Sequence, residues 1–501
     1  MQEIERLESH LAEIKALAEA AALLEWDQQT YMPAGGADSR AAQMAALSGV
    51  VHEKLIGPET AMRLDAAETA TQGLDPDTDD AALVRTVRRD FDQATKIPGA
   101  LVSEKARVTA LAHAHWADAR AGSDWKKFAP WLSQILELTR QIADHLGHSG
   151  ERYDALLDQY EPGTTTAEVR SLFEAIKPDT VALVQKIAAL GPDAVDDGVL
   201  SGEFDEAKQL RFGETVIKAL GYDFHRGRQD RALHPFCTSF GSGDVRITTR
   251  FDPHFLPMAL FGSMHEAGHA LYEQGLNTRY PGSLGAAASL GVHESQSRLW
   301  ENLVGRSRPF WGHFYPALQS TFPDALGGVS EENFTRAINK VAPSLIRVEA
   351  DEVTYNLHIL LRFEMETALL SGQLSVSEAP AAWNAKMEEY FGLTPPDDAS
   401  GILQDVHWSA GLIGYFPTYT LGNILSVQLF NKANADSGGQ IAAQMNAGEF
   451  APLLAWLREN VHQWGQKYLP KDLIVRAVGT PLDPAPYLAY LQEKFGGVYG
   501  I

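Results

Sequence analysis

His265-Glu266-Ala267-Gly268-His269 sets two imidazoles four residues apart, and a helix carries residues at that interval on one face. At 3.6 residues per turn the two side chains differ by ~40° in azimuth and one turn in height, so both aim at a single metal ion. Glu266 points ~100° away from His265 and lies beside the metal position instead of on it. From there it can act as a general base toward an activated water, the division of labour this spacing carries in metalloproteases. The plainer alternative is a pair of core histidines. Phe255, Leu256, Met258, Leu260, Phe261 and Met264 before the motif, with Ala270, Leu271 and Leu276 after it, predict a buried helix. Two His and a Glu buried there need partners, which a metal supplies.

A catalytic zinc takes three protein ligands and keeps one position open. The third is sought in Gly291-Val292-His293-Glu294-Ser295-Gln296-Ser297-Arg298-Leu299-Trp300-Glu301-Asn302, read as a helix that returns after a loop. Glu294 is the first choice and lies 294 − 269 = 25 residues beyond the second His. His293 and Glu301 compete with it. Arg298, at i+4 from Glu294, is placed to pair with that carboxylate and orient it.

The elements that must hold these groups are mostly helices. Ile4, Leu7, Leu11, Ile14 and Leu17 form one apolar stripe, and further helices are predicted over 80–96, 99–121, 125–146 and 166–190. Thr165 and Glu168 of the last have capping-box spacing. Beyond the metal helix, helices are predicted over 295–304, 331–342 and 346–370, then one capped by Ser375 and Glu378 that ends near Gly392. Thr394-Pro395-Pro396-Asp397-Asp398 breaks the second half. Between His234 and Phe251 the pattern changes. His234 to Phe240 and Asp244 to Phe251 flank Gly241-Ser242-Gly243 and predict a β-hairpin, an edge at which an extended peptide could add as a strand. A hairpin that only covers the core fits the pattern equally well. The fold class is mainly α, with a small antiparallel β-sheet next to the metal helix.

The chain has 501 residues, 45% of them hydrophobic, enough for an extensive core in one large catalytic unit spanning 1–501, possible lobes included. No fixed-period repeat or long Pro/Gly/Ser-rich linker divides it. The net charge of −23 argues against nucleic acid and anionic membrane surfaces as partners. Cys237 is the only cysteine, so no internal disulfide forms and no oxidising compartment is required. Neither a signal-peptide pattern nor an apolar run of ~18 residues is present, and the expected residence is cytoplasmic.

Six ordered motifs make the chain resemble the carboxypeptidase Taq family of zinc metallocarboxypeptidases, over essentially its whole length. They are His234-Pro235-Phe236, Asp244-x-Arg246-x-Thr248, His265 to His269, His293-Glu294-Ser295, Ile346-Arg347-x-x-Ala350-Asp351 and Gly401-x-x-Gln404-Asp405-x-His407-Trp408. The resemblance implies zinc on His265, His269 and Glu294, with Glu266 catalytic, and cobalt is expected to be able to replace the zinc. It also implies a large helical fold with a long central substrate groove between two lobes, similar to those of neurolysin and angiotensin-converting enzyme, and a homodimer. The expected activity is removal of C-terminal residues from peptides with a free C-terminus. His407 and Tyr415 are candidate donors to the developing oxyanion, each equally able to be a packing residue. An exopeptidase must also grip the terminal carboxylate, and a guanidinium does so with two parallel hydrogen bonds. Arg347 is the first candidate, with an intrahelical ion pair to Asp351 as the plain alternative. Arg246 is its rival, and its strand position suits alignment of the peptide backbone. An oligopeptidase or endopeptidase using the same zinc site, or a non-catalytic metal-binding scaffold, are the competing functions.

Overall fold

The computed structural model describes residues 2–277 and 283–501. The chain divides into two compact units, each assembled from three separate stretches. Met1–Thr95, Asp197–Ile338 and Leu425–Leu482 make the first; Lys96–Asp196, Asn339–Ile424 and Asp483–Ile501 make the second.

In the first unit, helix α1 (Gln2–Thr30) buries Ile4, Leu7, Leu11 and Ile14, the predicted stripe. Helices Ala37–Ile56 and Pro58–Thr71 pack along it. The second of these and the next helix, Asp79–Lys96, close with α1 a small core around Leu7, Leu64, Leu83 and Val87 that Leu284 completes.

The sheet has three strands, β1 (Gly227–Arg231), β2 (Cys237–Ser239) and β3 (Val245–Thr249), in the order β1-β3-β2. β2 and β3 are the predicted antiparallel hairpin, with Cys237 opposite Ile247 and Ser239 opposite Val245. The sheet as a whole is mixed, not antiparallel, because β1 pairs with β3 in parallel from Gly227–Val245 to Arg231–Thr249. Gly-Arg-Gln-Asp-Arg has no apolar alternation to announce a strand. Its backbone is recruited by β3, and Gly227 is required there: a Cβ would sit 2.1 Å from the Val245 carbonyl oxygen. β3, which carries Arg246, is therefore central, and only β2 of the hairpin keeps an edge.

The sheet lies against the metal helix α2 (Leu256–Glu273), which starts from extended Phe255 with Pro257 in its first turn. Leu256, Leu260, Phe261, Met264, Ala267 and Leu271 are buried and fix its rotation. On another side packs α3 (Leu290–Arg298), capped by Ser289, whose hydroxyl accepts from the Val292 amide at 3.1 Å. The prediction began this helix at Ser295 and ran it to Val304. It begins earlier, and Leu299–Val304 is a π-helical turn with every residue buried. Glu331–Ala337 is helical but stops short of the predicted Ala342.

In the second unit, Gly99–Ala121 and Trp125–Leu146 pack together with the predicted bounds, and Thr166–Ala188 carries the Thr165/Glu168 capping box. The helix predicted over 346–370 is different. Arg347–Glu349 forms one 3₁₀ turn, Ala350 is extended, and helix α4 begins only at Tyr355 and ends at Ser371. Asp351 is spent on that start: it accepts from the Val353 and Thr354 amides at 2.9 and 3.0 Å and from the Thr354 hydroxyl at 2.8 Å. Arg347 and Asp351 thus form no i,i+4 pair. Among the described residues no helix is long and apolar enough to cross a membrane.

Candidate metal centre

α2 presents His265 and His269 with ring centroids 4.9 Å apart and planes at 83°. α3 brings the buried Glu294 against both: its Oε2 lies 3.7 Å from His265 Nε2 and 3.4 Å from His269 Nε2. All three ligand atoms fall within 4.8 Å of one another. Two ligands on a tetrahedron with bonds of about 2.1 Å stand about 3.4 Å apart, so the spacing and the two-imidazole, one-carboxylate donor set fit a zinc-sized ion. Gly268 makes the approach of the two helices possible. A Cβ there would lie 2.6 Å from Ser297 Cα and 2.7 Å from the Gln296 carbonyl oxygen.

The two competitors for third ligand have other partners. Glu301, on the π turn, accepts from His265 Nδ1 at 2.9 Å. His293 approaches His269 Nδ1 at 2.5 Å and reaches Glu273 with its other nitrogen at 3.0 Å. Each of the two histidines therefore has Nε2 toward Glu294 and Nδ1 held from behind, the arrangement that fixes tautomer and ring orientation in metal sites. Arg298 donates to Glu294 Oε1 at 2.7 Å, as its i+4 spacing predicted, and to Glu301 Oε2 at 3.2 Å. The Ser297 hydroxyl adds a hydrogen bond to Glu294 Oε2 at 3.0 Å, and Arg306 supports Glu301 at 3.2 Å.

Burial opposes ionisation of Glu294 and Glu301, yet Arg298 and the histidines outweigh it and hold both carboxyls far below the usual range. Burial lowers His269 to about 4, leaving a neutral imidazole able to ligate, while Glu294 and Glu301 outweigh burial at His265 and raise it. Glu266 is buried and, among the described residues, accepts no hydrogen bond; burial pushes its carboxyl up to about 7. A carboxyl poised there exchanges a proton readily at neutral pH.

Arg347, His407 and Tyr415 belong to the second unit, where they gather. The buried Arg347 donates through Nε and Nη2 to Asp405 Oδ1 at 3.1 and 2.7 Å and through Nη1 to the Tyr355 hydroxyl at 2.9 Å. Asp405 also accepts from Arg362 Nε at 2.6 Å, so two guanidinium groups share one carboxylate. His407 lies on the Phe416 ring with centroids 4.4 Å apart, and 5.5 Å from Tyr415. Its buried Nδ1 has no hydrogen-bond partner among the described residues, and burial lowers the ring to about 4. Arg246, in the first unit, is bidentate to Asp244 at 2.8 and 2.7 Å and lies 4.3 Å over Trp26.

Sequence reasoning passed over Glu273, Ser297, Arg306, Tyr355 and Arg362. Glu273 was readable, since it continues the four-residue interval of His265 and His269 on the same helical face.

The model of the carboxypeptidase Taq (M32) metallopeptidases matches residues 6–495. Thermostable carboxypeptidase 1 of Thermus thermophilus is 44% identical over 494 residues, covering 97% of this chain and 96% of its own. Carboxypeptidase 1 of Bacillus subtilis is 38% identical over 490 residues, with 98% and 97% covered. Among solved structures, the M32 carboxypeptidase from Deinococcus radiodurans R1 superposes with a TM-score of 0.97 at 42% identity, covering 100% of both chains. Trypanosoma cruzi metallocarboxypeptidase 1 gives a TM-score of 0.93 at 33% identity over 99% of each. Sequence, fold and the gathered His-His-Glu group converge, and the chain belongs to the carboxypeptidase Taq (M32) family of metallopeptidases, enzymes that hydrolyse peptides from the carboxyl end.

Proposed function

We propose that the protein is a zinc-dependent carboxypeptidase that releases single residues of varied side chain from peptides with a free C-terminus. His265, His269 and Glu294 would hold the ion, which cobalt could replace. The observation that carries this reading is the convergence of those three ligand atoms beside a buried Glu266. Zinc bound there supplies Lewis acidity, polarising the scissile carbonyl and lowering the pKa of water to about 7.

The protein's own groups do the remaining work. Glu266 takes the proton of the attacking water and returns it to the leaving amine, a role that suits a carboxyl raised by burial. Glu301 and His293 keep the ligand imidazoles aimed. His407 or Tyr415 donates to the oxyanion as it forms; a neutral His407 keeps one N–H for this purpose. Arg347 receives the terminal carboxylate. Two guanidinium groups on one Asp405 leave a surplus positive charge, which favours an anion. Arg246, on the central strand, aligns the peptide backbone. The whole chain is proposed to act as one catalytic domain, supported by the unbroken family match across both units. A cytoplasmic homodimer completes the reading.

Glu266→Gln tests it. The amide keeps the shape and loses the base, so metal content is expected to stay normal while kcat falls by 10²-fold or more. Activity within about tenfold of wild type would remove Glu266 from the base role. Chelation is expected to abolish activity and zinc or cobalt to restore it.

A further inference from the structure

One cavity meets the groups described so far only at Glu273. It has a volume of about 700 Å³ and lies in the first unit, between α1, the turn joining β2 to β3, and the last turn of the metal helix. Its walls are unusually short: Ala12, Ala18 and Ala22 of α1 face Gly241 and Gly243 of the turn. That leaves room for a long side chain. Among the described residues its charged lining is Lys15, Glu19 and Glu273, two carboxylates against one ammonium. Lys15 and Glu19 stand 3.6 Å apart, and Glu19 Oε1 reaches to within 3.6 Å of where a Cβ of Gly241 would be. Glu273 closes the cavity toward the metal centre, since its carboxylate holds His293, which in turn holds His269.

The place of Glu273 along α2 gives the cavity a position relative to the cleaved bond. Four residues of helix advance about 6 Å past His269, and an extended peptide advances about 3.3 Å per residue. The cavity therefore lies roughly two to four substrate residues from the metal position. An enzyme that removes one terminal residue has no peptide that far downstream, so whatever enters comes from the upstream side. β2, whose outer edge pairs with no strand among the described residues, runs into the same cavity through Ser239.

We propose that this cavity receives the cationic side chain of a lysine or arginine lying two to four residues upstream of the cleaved bond, held by Glu19 and Glu273. The proposal rests on the metal being held by His265, His269 and Glu294, and adds a charge preference to that reading.

The test is a set of N-acetylated, alanine-rich peptides carrying one lysine, or its uncharged counterpart norleucine, or glutamate, at each of the second to fifth upstream positions. Wild type is expected to favour lysine over norleucine by about tenfold in kcat/KM at one position, as for a half-exposed charge-assisted contact. Glu19→Gln is expected to bring that ratio close to one, and Glu19→Lys to shift the preference to glutamate. Equal rates for lysine and norleucine at every position would overturn the proposal, and so would an unchanged ratio in both Glu19 variants. A preference seen only when the acetyl group is removed would overturn it too, by making the peptide's terminal ammonium the occupant. The all-alanine peptide separates the two readings: hydrolysis that persists under chelation and in His265→Ala would sink the metal assignment, whatever the charge preference proves to be.

Discussion

Glu301 and His293 hold the Nδ1 atoms of His265 and His269, and neither belongs to the gathered His265-His269-Glu294 group. Their loss should loosen the rings and leave the ligand count intact. Glu301→Ala and His293→Phe are each expected to weaken metal binding by about 10- to 100-fold, read by competition with a chelator, while Glu294→Ala should cost far more. Unchanged affinity in both would mean that ring packing alone orients the imidazoles. At Arg347 the expectation concerns coupling. Arg347→Ala should lower kcat/KM by on the order of 10²-fold on free-ended peptides, with normal metal content. Amidated peptides already lack the same contact, so the two losses together should fall well short of their sum. Strictly additive losses would make the Arg347–Asp405 pair structural and move the search to Arg246. That His265 and His269 share a face was legible in the sequence because a helix converts a four-residue interval into one. Their rear partners were not, since His265–Glu301 and His269–His293 meet only through the crossing of two helices, and a histidine or glutamate one position from the right one looks identical on paper.

The crossing of α2 and α3 is set at backbone distance by Gly268, and the ligand geometry depends on it. A methyl group there meets backbone atoms of Gln296 and Ser297, which cannot swing aside as a side chain would. Gly268→Ala is expected to destabilise the fold by about 1–3 kcal/mol and to lower metal affinity as well, because the same displacement moves Glu294 away from the histidines. A stable variant with full affinity would show that the helices part without carrying the ligand with them. Helices with regular polarity were readable to within a residue or two, as Gly99–Ala121 and Trp125–Leu146 demonstrate. The failures have physical causes. The π turn inserts a residue into a run whose composition is ordinary for an α-helix, and the 3₁₀ turn at Arg347 is dictated by the buried pairing with Asp405. β1 was invisible because a polar pentapeptide becomes a strand only when β3 offers its edge.

Among the other buried histidines, His462 against Gln296 is lowered to about 3 and His407 to about 4, both chiefly by burial. A depressed folded pKa means that the unfolded chain binds the proton first. The stability tied to these groups is complete above the unfolded value of 6.5 and is lost as pH falls from there toward 4 and 3. Denaturant unfolding of the metal-free protein is expected to weaken by up to about 1.4 kcal/mol per pH unit for each histidine, and His462→Gln should flatten part of that slope. A profile flat between pH 6.5 and 5 would contradict the burial of both rings. The threading of the chain through two units, three stretches each, has a further outcome during translation. The first unit cannot be completed until Leu482 has left the ribosome, although its opening stretch ends at Thr95. The intervening 482 − 95 = 387 residues take ~20–80 s at ~5–20 residues per second. For that interval the early helices lack the hydrogen bonds that Asp79, Arg85 and Thr86 make to Gln466 and Lys467, and a nascent chain in that state is a natural client for a holding chaperone.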